Sequence, residues 1–284
     1  MATFYNQATL SYNGNTTTSN ITAGELVEIL TAAKTAVTDT YQSGGRITYI
    51  ISIVNSGTDN FSTLTVTDNL GAYAYNTQTL TPLDYVEGSV KYFINGVLQA
   101  APVITSTSPL TITGISVPAG GNTTLVYETT ANEFAPLESE AAITNTATIT
   151  GQELATPITA VETVNTENSA FLTISKSLTP STVTENGQIT YTFIIQNSGN
   201  TEASAADNVV LTDTFIPILK NITVTFNGVT WTEGTNYNYS EATGLFTTIG
   251  GQITVPAATY TRDTATGALI INPGVSTLTV TGTI

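Results

Sequence analysis

Ile143-Thr-Asn-Thr-Ala-Thr-Ile-Thr150 reads as a β-strand in which Ile143, Asn145, Ala147 and Ile149 share one face. The chain opens on the same pattern, Phe4-Tyr-Asn-Gln-Ala-Thr-Leu-Ser-Tyr-Asn-Gly14. Asn6 matches Asn145, Ala8 matches Ala147 and Leu10 matches Ile149. Two such segments, far apart in one chain, point to a repeated β-domain with one closing strand displaced to the far end.

The rest of the repeat follows, its first three matches at one constant spacing and the later ones after short insertions or deletions. Lys34-Thr-Ala-Val37 lines up with Lys176-Ser-Leu-Thr179, Ile47-Thr-Tyr49 with Ile189-Thr-Tyr191, and Asn55-Ser-Gly57 with Asn197-Ser-Gly199. Leu64-Thr-Val-Thr-Asp68 then matches Val209-Val-Leu-Thr-Asp213, and Asn95-Gly-Val97 matches Asn227-Gly-Val229. Near the end of each copy Val117-Pro-Ala-Gly120 followed by Thr-Thr-Leu-Val-Tyr127 resembles Asn272-Pro-Gly274 followed by Thr-Leu-Thr-Val280. On that last alignment Ile284 corresponds to Ala131, so the second copy reaches Ile284 before any counterpart of 143–150. The expected plan is a donor strand over 1–14, a linker over 15–29, a complete domain over 30–152, a linker over 153–169, and an open domain over 170–284.

Composition fixes the class as all-β. The chain is 40% hydrophobic and only 10% charged, which excludes disorder. Short runs rich in Thr, Val, Ile and Tyr are separated by Gly, Asn, Asp and Pro, the pattern of two tandem Ig-like antiparallel sandwiches. Asn95-Gly96 and Asn227-Gly228 each predict a two-residue hairpin turn. The helix-like stretch 23–33 has a counterpart, Ala160-Val-Glu-Thr-Val-Asn-Thr166, rich in β-branched residues, so both read as extended connectors.

Several function classes fall away. With 6 Lys and Arg against 21 Asp and Glu, the formal charge of −15 makes nucleic acid a poor partner and favours solubility. No segment has the apolar length of a membrane span. No basic region followed by an apolar run marks a signal peptide, which leaves three export routes open: unconventional release, a presequence outside this sequence, or assembly in a cell that later lyses, such as the mother cell around a spore. The absence of Cys and His removes disulfides, thiolate zinc sites and histidine-based catalysis, so no cofactor, metal or enzymatic activity is expected. Asp39, Asp59, Asp84 and Glu87 form no calcium cage and read as solvated turn residues.

Three residue types break the inward apolar pattern, and they recur. Lys176 interrupts the face of Leu172, Ile174 and Leu178, as Lys34 interrupts that of Leu30, Ala32 and Ala36. Asp213 and Asp68 do the same beside Leu211 and Val66, and Asn145 and Asn6 complete the set. Buried charges cost several kcal/mol unless paired or neutralised. A cluster of Lys34, Asp68 and Asn145 resolves this in one of two ways. Either an ion pair is buried with the amide satisfying it, or the lysine amine attacks the asparagine carbonyl, the acid polarises it, and ammonia leaves an isopeptide bond. Lys176 and Asp213 form the second cluster, with Asn6 of another molecule.

Leu172-Thr-Ile-Ser-Lys-Ser-Leu-Thr-Pro180, Gly187-Gln-Ile-Thr-Tyr-Thr-Phe193, Asn197-Ser-Gly199 and Val210-Leu-Thr-Asp-Thr214 resemble the prokaryotic "conserved repeat" Ig-like domains, the eleventh in the series of domains of unknown function. The resemblance covers both halves. It implies an Ig-like sandwich in a surface setting, and related pilin and adhesin modules carry Lys–Asn isopeptide bonds with an acid between them. It implies no biochemical activity. The sequence departs from the pattern in its short last repeat and in the lack of a sorting tail or anchor after it, which favours a self-assembling subunit over an anchored adhesin.

The expected function is a structural subunit that polymerises with copies of itself by donor-strand complementation, with Phe4, Ala8, Leu10 and Tyr12 entering the open core of the next molecule. Four alternatives stay open. The first segment can be an ordinary first strand of domain one, or it can close the second domain of its own molecule to give a monomer. The chain can be an adhesin binding a glycan or host ligand through loops at Tyr73–Tyr75 and Trp231–Tyr239. It can also be a surface-layer protein.

Overall fold

The computed structural model describes residues 2–26, 29–152 and 154–284. Two antiparallel β-sandwiches follow an N-terminal arm, and alternation of side chains builds each core. In Arg46–Asn55 the residues Ile47, Tyr49, Ile51 and Ile53 point inward, as do Ile189, Tyr191, Phe193 and Ile195 in Gln188–Asn197. The expected all-β, two-sandwich architecture is therefore the observed one.

One sheet has the same strand order in both domains. In domain 1 it runs Val97–Leu98, Lys91–Ile94, Asn122–Ala131, Arg46–Asn55 and Leu30–Ala36, the last here called the lysine strand. In domain 2 it runs Val229–Thr230, Lys220–Phe226, Gly274–Thr283, Gln188–Asn197 and the lysine strand Leu172–Thr179. The Asn-Gly turns close matching hairpins, with φ of 47° and 79° at Asn95 and Gly96 and of 49° and 79° at Asn227 and Gly228. Both residues of such a turn need positive φ, which Asn and Gly tolerate. Asn55 and Asn197 tie matching loops. Asn55 Nδ2 donates to Asp59 O (2.8 Å) and Pro118 O (3.0 Å), and Asn197 Nδ2 donates to Thr201 O (2.7 Å) and Pro256 O (3.1 Å).

The other sheet differs. Domain 1 arranges Val103–Thr107, Leu110–Val117, the aspartate strand Phe61–Asp68, the asparagine strand Ala142–Thr150, a cap strand Ile158–Thr166 and the short parallel edge strand Thr40–Tyr41. Domain 2 has only Tyr237–Tyr239, Leu245–Thr248 and the aspartate strand Thr212–Thr214. Among the described residues nothing pairs with the other edge of Thr212–Thr214.

Two boundaries need correcting. The expected linker over 153–169 contains the cap strand, which pairs with 142–149 and buries Ala160, Val164 and Thr166 in domain 1. Glu162 interrupts that inward row, so the apolar alternation is weak in the sequence. The expected linker over 15–29 contains two strands as well. Asn15–Thr18 pairs with Thr9–Tyr12, and Thr22–Leu26 pairs with Ala2–Asn6, making 2–26 a folded-back arm. Residues 27 and 28 of that linker lie outside the described residues.

The domains touch through the hairpin of Thr259–Arg262 and Leu269–Asn272. Leu269 N donates to Glu133 O at 2.7 Å, and the Arg262 guanidinium lies 5.5 Å and 5.8 Å from the Tyr73 and Tyr75 ring centres. No helix among the described residues is long and apolar enough to cross a membrane.

Candidate functional site

The complete domain brings its three predicted residues into one dry region. Lys34 reaches from the edge of one sheet to Asp68 on the other, with Nζ 2.6 Å from Oδ2 and no exposed surface on either side chain. Asp68 Oδ2 also accepts from the Tyr127 hydroxyl, and Oδ1 accepts from Leu70 N at 2.8 Å. The register pairs Asp68 with Ala147, which puts Asn145 two positions along the neighbouring strand on the same inward face. Asn145 is fully buried, and its Oδ1 accepts from Gly71 N at 3.2 Å.

The cluster is under-satisfied. Asn145 Nδ2 and the Tyr49 hydroxyl are both buried without a hydrogen-bond partner. Asn145 bears electrostatically on the Tyr49 and Tyr127 hydroxyls, but it meets neither in good hydrogen-bond geometry. Each orphaned polar group costs about 1–3 kcal/mol. Such groups call for an explanation, and reactive chemistry is one of the few.

Burial also changes the lysine. Desolvation lowers the Lys34 amine from 10.5 to about 8, against the opposing pull of Asp68 and, less strongly, Glu162. The neutral, nucleophilic form is therefore far more accessible than for a lysine in water. Nζ lies 4.6 Å from the Tyr49 ring centre, so an aromatic face rather than solvent covers its other side. The Tyr127 phenol is held well above its usual range, first by burial and then by the adjacent Asp68 carboxylate, so it stays a hydrogen-bond donor.

Domain 2 contains the same pair without the cover. Lys176 Nζ is ion-paired with Asp213 Oδ2 and lies 4.5 Å from the Tyr191 ring centre, as Lys34 does over Tyr49. Here the side chains are 39% and 19% exposed. Val280 stands where domain 1 has Tyr127, so the aspartate lacks the phenolic donor. Leu30, beneath the domain 1 closure, is 3% exposed; in domain 2 Leu172 is 37%, Leu178 39% and Ile174 58% exposed. Next to them lies a groove of about 170 Å³, lined by Leu172, Ile174, Ile195, Val209, Leu211 and Ile253.

The remaining predicted residues sit in the arm. Asn6 lies opposite Thr22 and away from Lys176, and Phe4, Ala8, Leu10 and Tyr12 are exposed. The aromatic loops are packed instead. The Tyr73 hydroxyl donates to Phe134 O at 2.6 Å, Trp231 stacks on Phe226 at 4.9 Å, and Tyr237 is 5% exposed. Sequence reasoning missed Tyr49, Tyr127 and Glu162. The inward alternation of Ile47, Tyr49 and Ile51 was the available signal for the first.

No family model matches this chain, and a search of curated proteins finds no relative. Among solved structures it is similar to the pilus backbone RrgB of Streptococcus pneumoniae, at 13% identity over 86% of this chain and 55% of that one, with a TM-score of 0.35. It is also similar to BcpA, the major pilin subunit of Bacillus cereus (11% identity, 96% and 73%, TM-score 0.37). The collagen adhesin CNA of S. aureus gives 12% identity over 55% of each chain, with a TM-score of 0.31. The chain spans about half the length of the first of these.

Proposed function

We propose that this chain is the structural subunit of an extracellular or spore-surface filament, built head to tail by donor-strand complementation. Residues 4–12 of one copy enter domain 2 of the next, beside Asp213, where domain 1 has Ala142–Thr150. One observation carries the reading: the edge of the aspartate strand left open in domain 2 is paired in domain 1 by a segment whose sequence recurs at the other end of the chain.

The energetics favour filling that edge. An unpaired edge strand is a template for another chain. Phe4, Leu10 and Tyr12 are 57%, 62% and 56% exposed in the arm. Burying each is worth about 1.5–3 kcal/mol, to which main-chain hydrogen bonds add. The contact joins different surfaces of the two copies, so it propagates as an open filament unless its rotation closes a ring.

Covalent locking belongs to the same proposal. In domain 1 the Lys34 ammonium passes a proton to Asp68 across their contact, and the freed amine attacks Asn145 Cγ. The new C–N amide bond forms as the C–Nδ2 bond breaks, and Nδ2 leaves as ammonia. Lys176, Asp213 and Asn6 of the neighbouring copy repeat the reaction between subunits. Deleting residues 1–12 is expected to abolish polymers seen by negative-stain microscopy; long threads from the deleted chain refute strand donation. Intact-mass measurement is expected to show one ammonia lost per domain 1, and an unchanged mass removes the covalent step.

A further inference from the structure

Domain 1 is closed by two strands. The asparagine strand pairs with the aspartate strand, and the cap strand Ile158–Thr166 pairs with the asparagine strand. It is the cap, not the asparagine strand, that packs along the lysine strand Leu30–Ala36. Domain 2 lacks counterparts of both among the described residues. A single donated strand fills the place beside Asp213 but leaves the lysine strand Leu172–Thr179 without its cover, and all eight of those residues are exposed.

The residues just after the donor strand resemble the start of the cap. The cap begins Ile158-Thr-Ala-Val-Glu162, and the arm reads Ile21-Thr-Ala-Gly-Glu25. Each stretch follows its asparagine-bearing strand and precedes its lysine strand, so the match holds in topology as well as in sequence. In the structure this stretch is already extended, with Thr22–Leu26 antiparallel to Ala2–Asn6. The two-stranded unit therefore exists before any neighbour arrives.

As a free element the arm is poorly supported. Tyr5 is 71% and Ile21 62% exposed. An isolated two-stranded hairpin in water is marginal, and a strand with no buried face has little to fix its register. The register indeed differs from that of the closed domain. Asn145 lies opposite Glu162 in domain 1, whereas Asn6 lies opposite Thr22 in the arm and not opposite Glu25.

We infer that the donated element is the hairpin from Phe4 to Leu26 of a second copy, not one strand. Its first strand lies beside Asp213, its second runs over Leu172–Thr179, and docking resets the register to place Asn6 opposite Glu25. This rests on the donor-strand reading and extends the interface from the groove to the outer lysine strand. The second strand seals Lys176 from water as the cap seals Lys34.

Because the chain has no cysteine, Ile174→Cys provides a single thiol on the strand to be covered. Polymers of the full-length variant are treated with a maleimide, alongside subunits kept apart by Phe4→Asp and Leu10→Asp. Labelling in polymers is expected to slow by about tenfold or more, since it then waits on local opening. Adding Ile21→Asp is expected to restore fast labelling in the polymers that still form. Polymers labelled as fast as separated subunits, or protected regardless of Ile21→Asp, overturn the hairpin while leaving strand donation intact. A parent chain that forms no polymers overturns both. Hydroxyl-radical footprinting of Leu172 and Leu178 in unsubstituted polymers reads the same cover without relying on the cysteine variant.

Discussion

The Lys34–Asp68 and Lys176–Asp213 pairs occupy the same point in two copies of one sandwich, yet the first is sealed and the second is open to water. The strand order of one sheet is identical in the two domains, and so are the asparagine knots at Asn55 and Asn197. What differs is the cover, which in domain 1 is the asparagine strand, the cap strand and the short Thr40–Tyr41 beside it, together with Tyr127 where domain 2 has Val280. Its presence takes a lysine, an aspartate and an asparagine out of water together, and the amine loses part of its hold on the proton. The comparison teaches that closure sets the burial and the proton affinity of this lysine; on the donor-strand proposal, domain 2 gains the same surroundings only when a neighbour docks.

The largest expected effect separates the two pairs. Asp68→Ala leaves a buried lysine unpaired and is expected to destabilise domain 1 by about 3–5 kcal/mol. Asp213→Ala in dispersed subunits is expected to cost no more than about 1 kcal/mol, because its partner is half in solvent. Calorimetry resolving the two domain transitions checks this, and equal losses break the comparison. Next come the knots, which the comparison holds to be equivalent. Asn55→Ala and Asn197→Ala are each expected to cost about 1–3 kcal/mol in their own domain. A large inequality in the same scans shows that domain 2 is loosened beyond its open edge.

A smaller effect follows pH. A free Lys34 with its pKa lowered to about 8 binds a proton less readily folded than unfolded. Its destabilising contribution is therefore full below about pH 8 and relieved as pH rises toward 10.5. The raised phenols of Tyr49 and Tyr127 act in the opposite sense, with stability present below pH 10 and lost above it. In Asn145→Ala, which cannot form the amide, the urea midpoint of domain 1 is expected to rise between pH 8 and 10. The isopeptide proposal predicts that in the parent the amine no longer titrates and that rise is absent; equal slopes in the two proteins show a free Lys34. Smallest of all, Ile174→Thr on the open face is expected to change dispersed-subunit stability by less than about 0.5 kcal/mol, while weakening polymers.

Much of this was legible in the sequence because periodicity and turn chemistry are local. Alternation in Ile47–Ile53 and Ile189–Ile195, together with the Asn-Gly turns, was enough for two sandwiches. The repeat then placed Lys34, Asp68 and Asn145 on inward faces. The cap strand was hidden because Glu162 breaks its inward row, and Thr22–Leu26 because it pairs with Ala2–Asn6 in the arm, where no sandwich core imposes an apolar alternation. The unsatisfied Asn145 amide and the contribution of Tyr127 depend on packing across the core, which no local pattern encodes.

A reconstruction of the polymer by electron cryo-microscopy puts the central claim to its most direct test. Strand density beside Thr212–Thr214 is expected to trace to Phe4–Tyr12 of the adjoining subunit, with Asn6 next to Lys176. Density there that traces to the same chain, or an edge left bare while Phe4–Tyr12 packs elsewhere, contradicts the account.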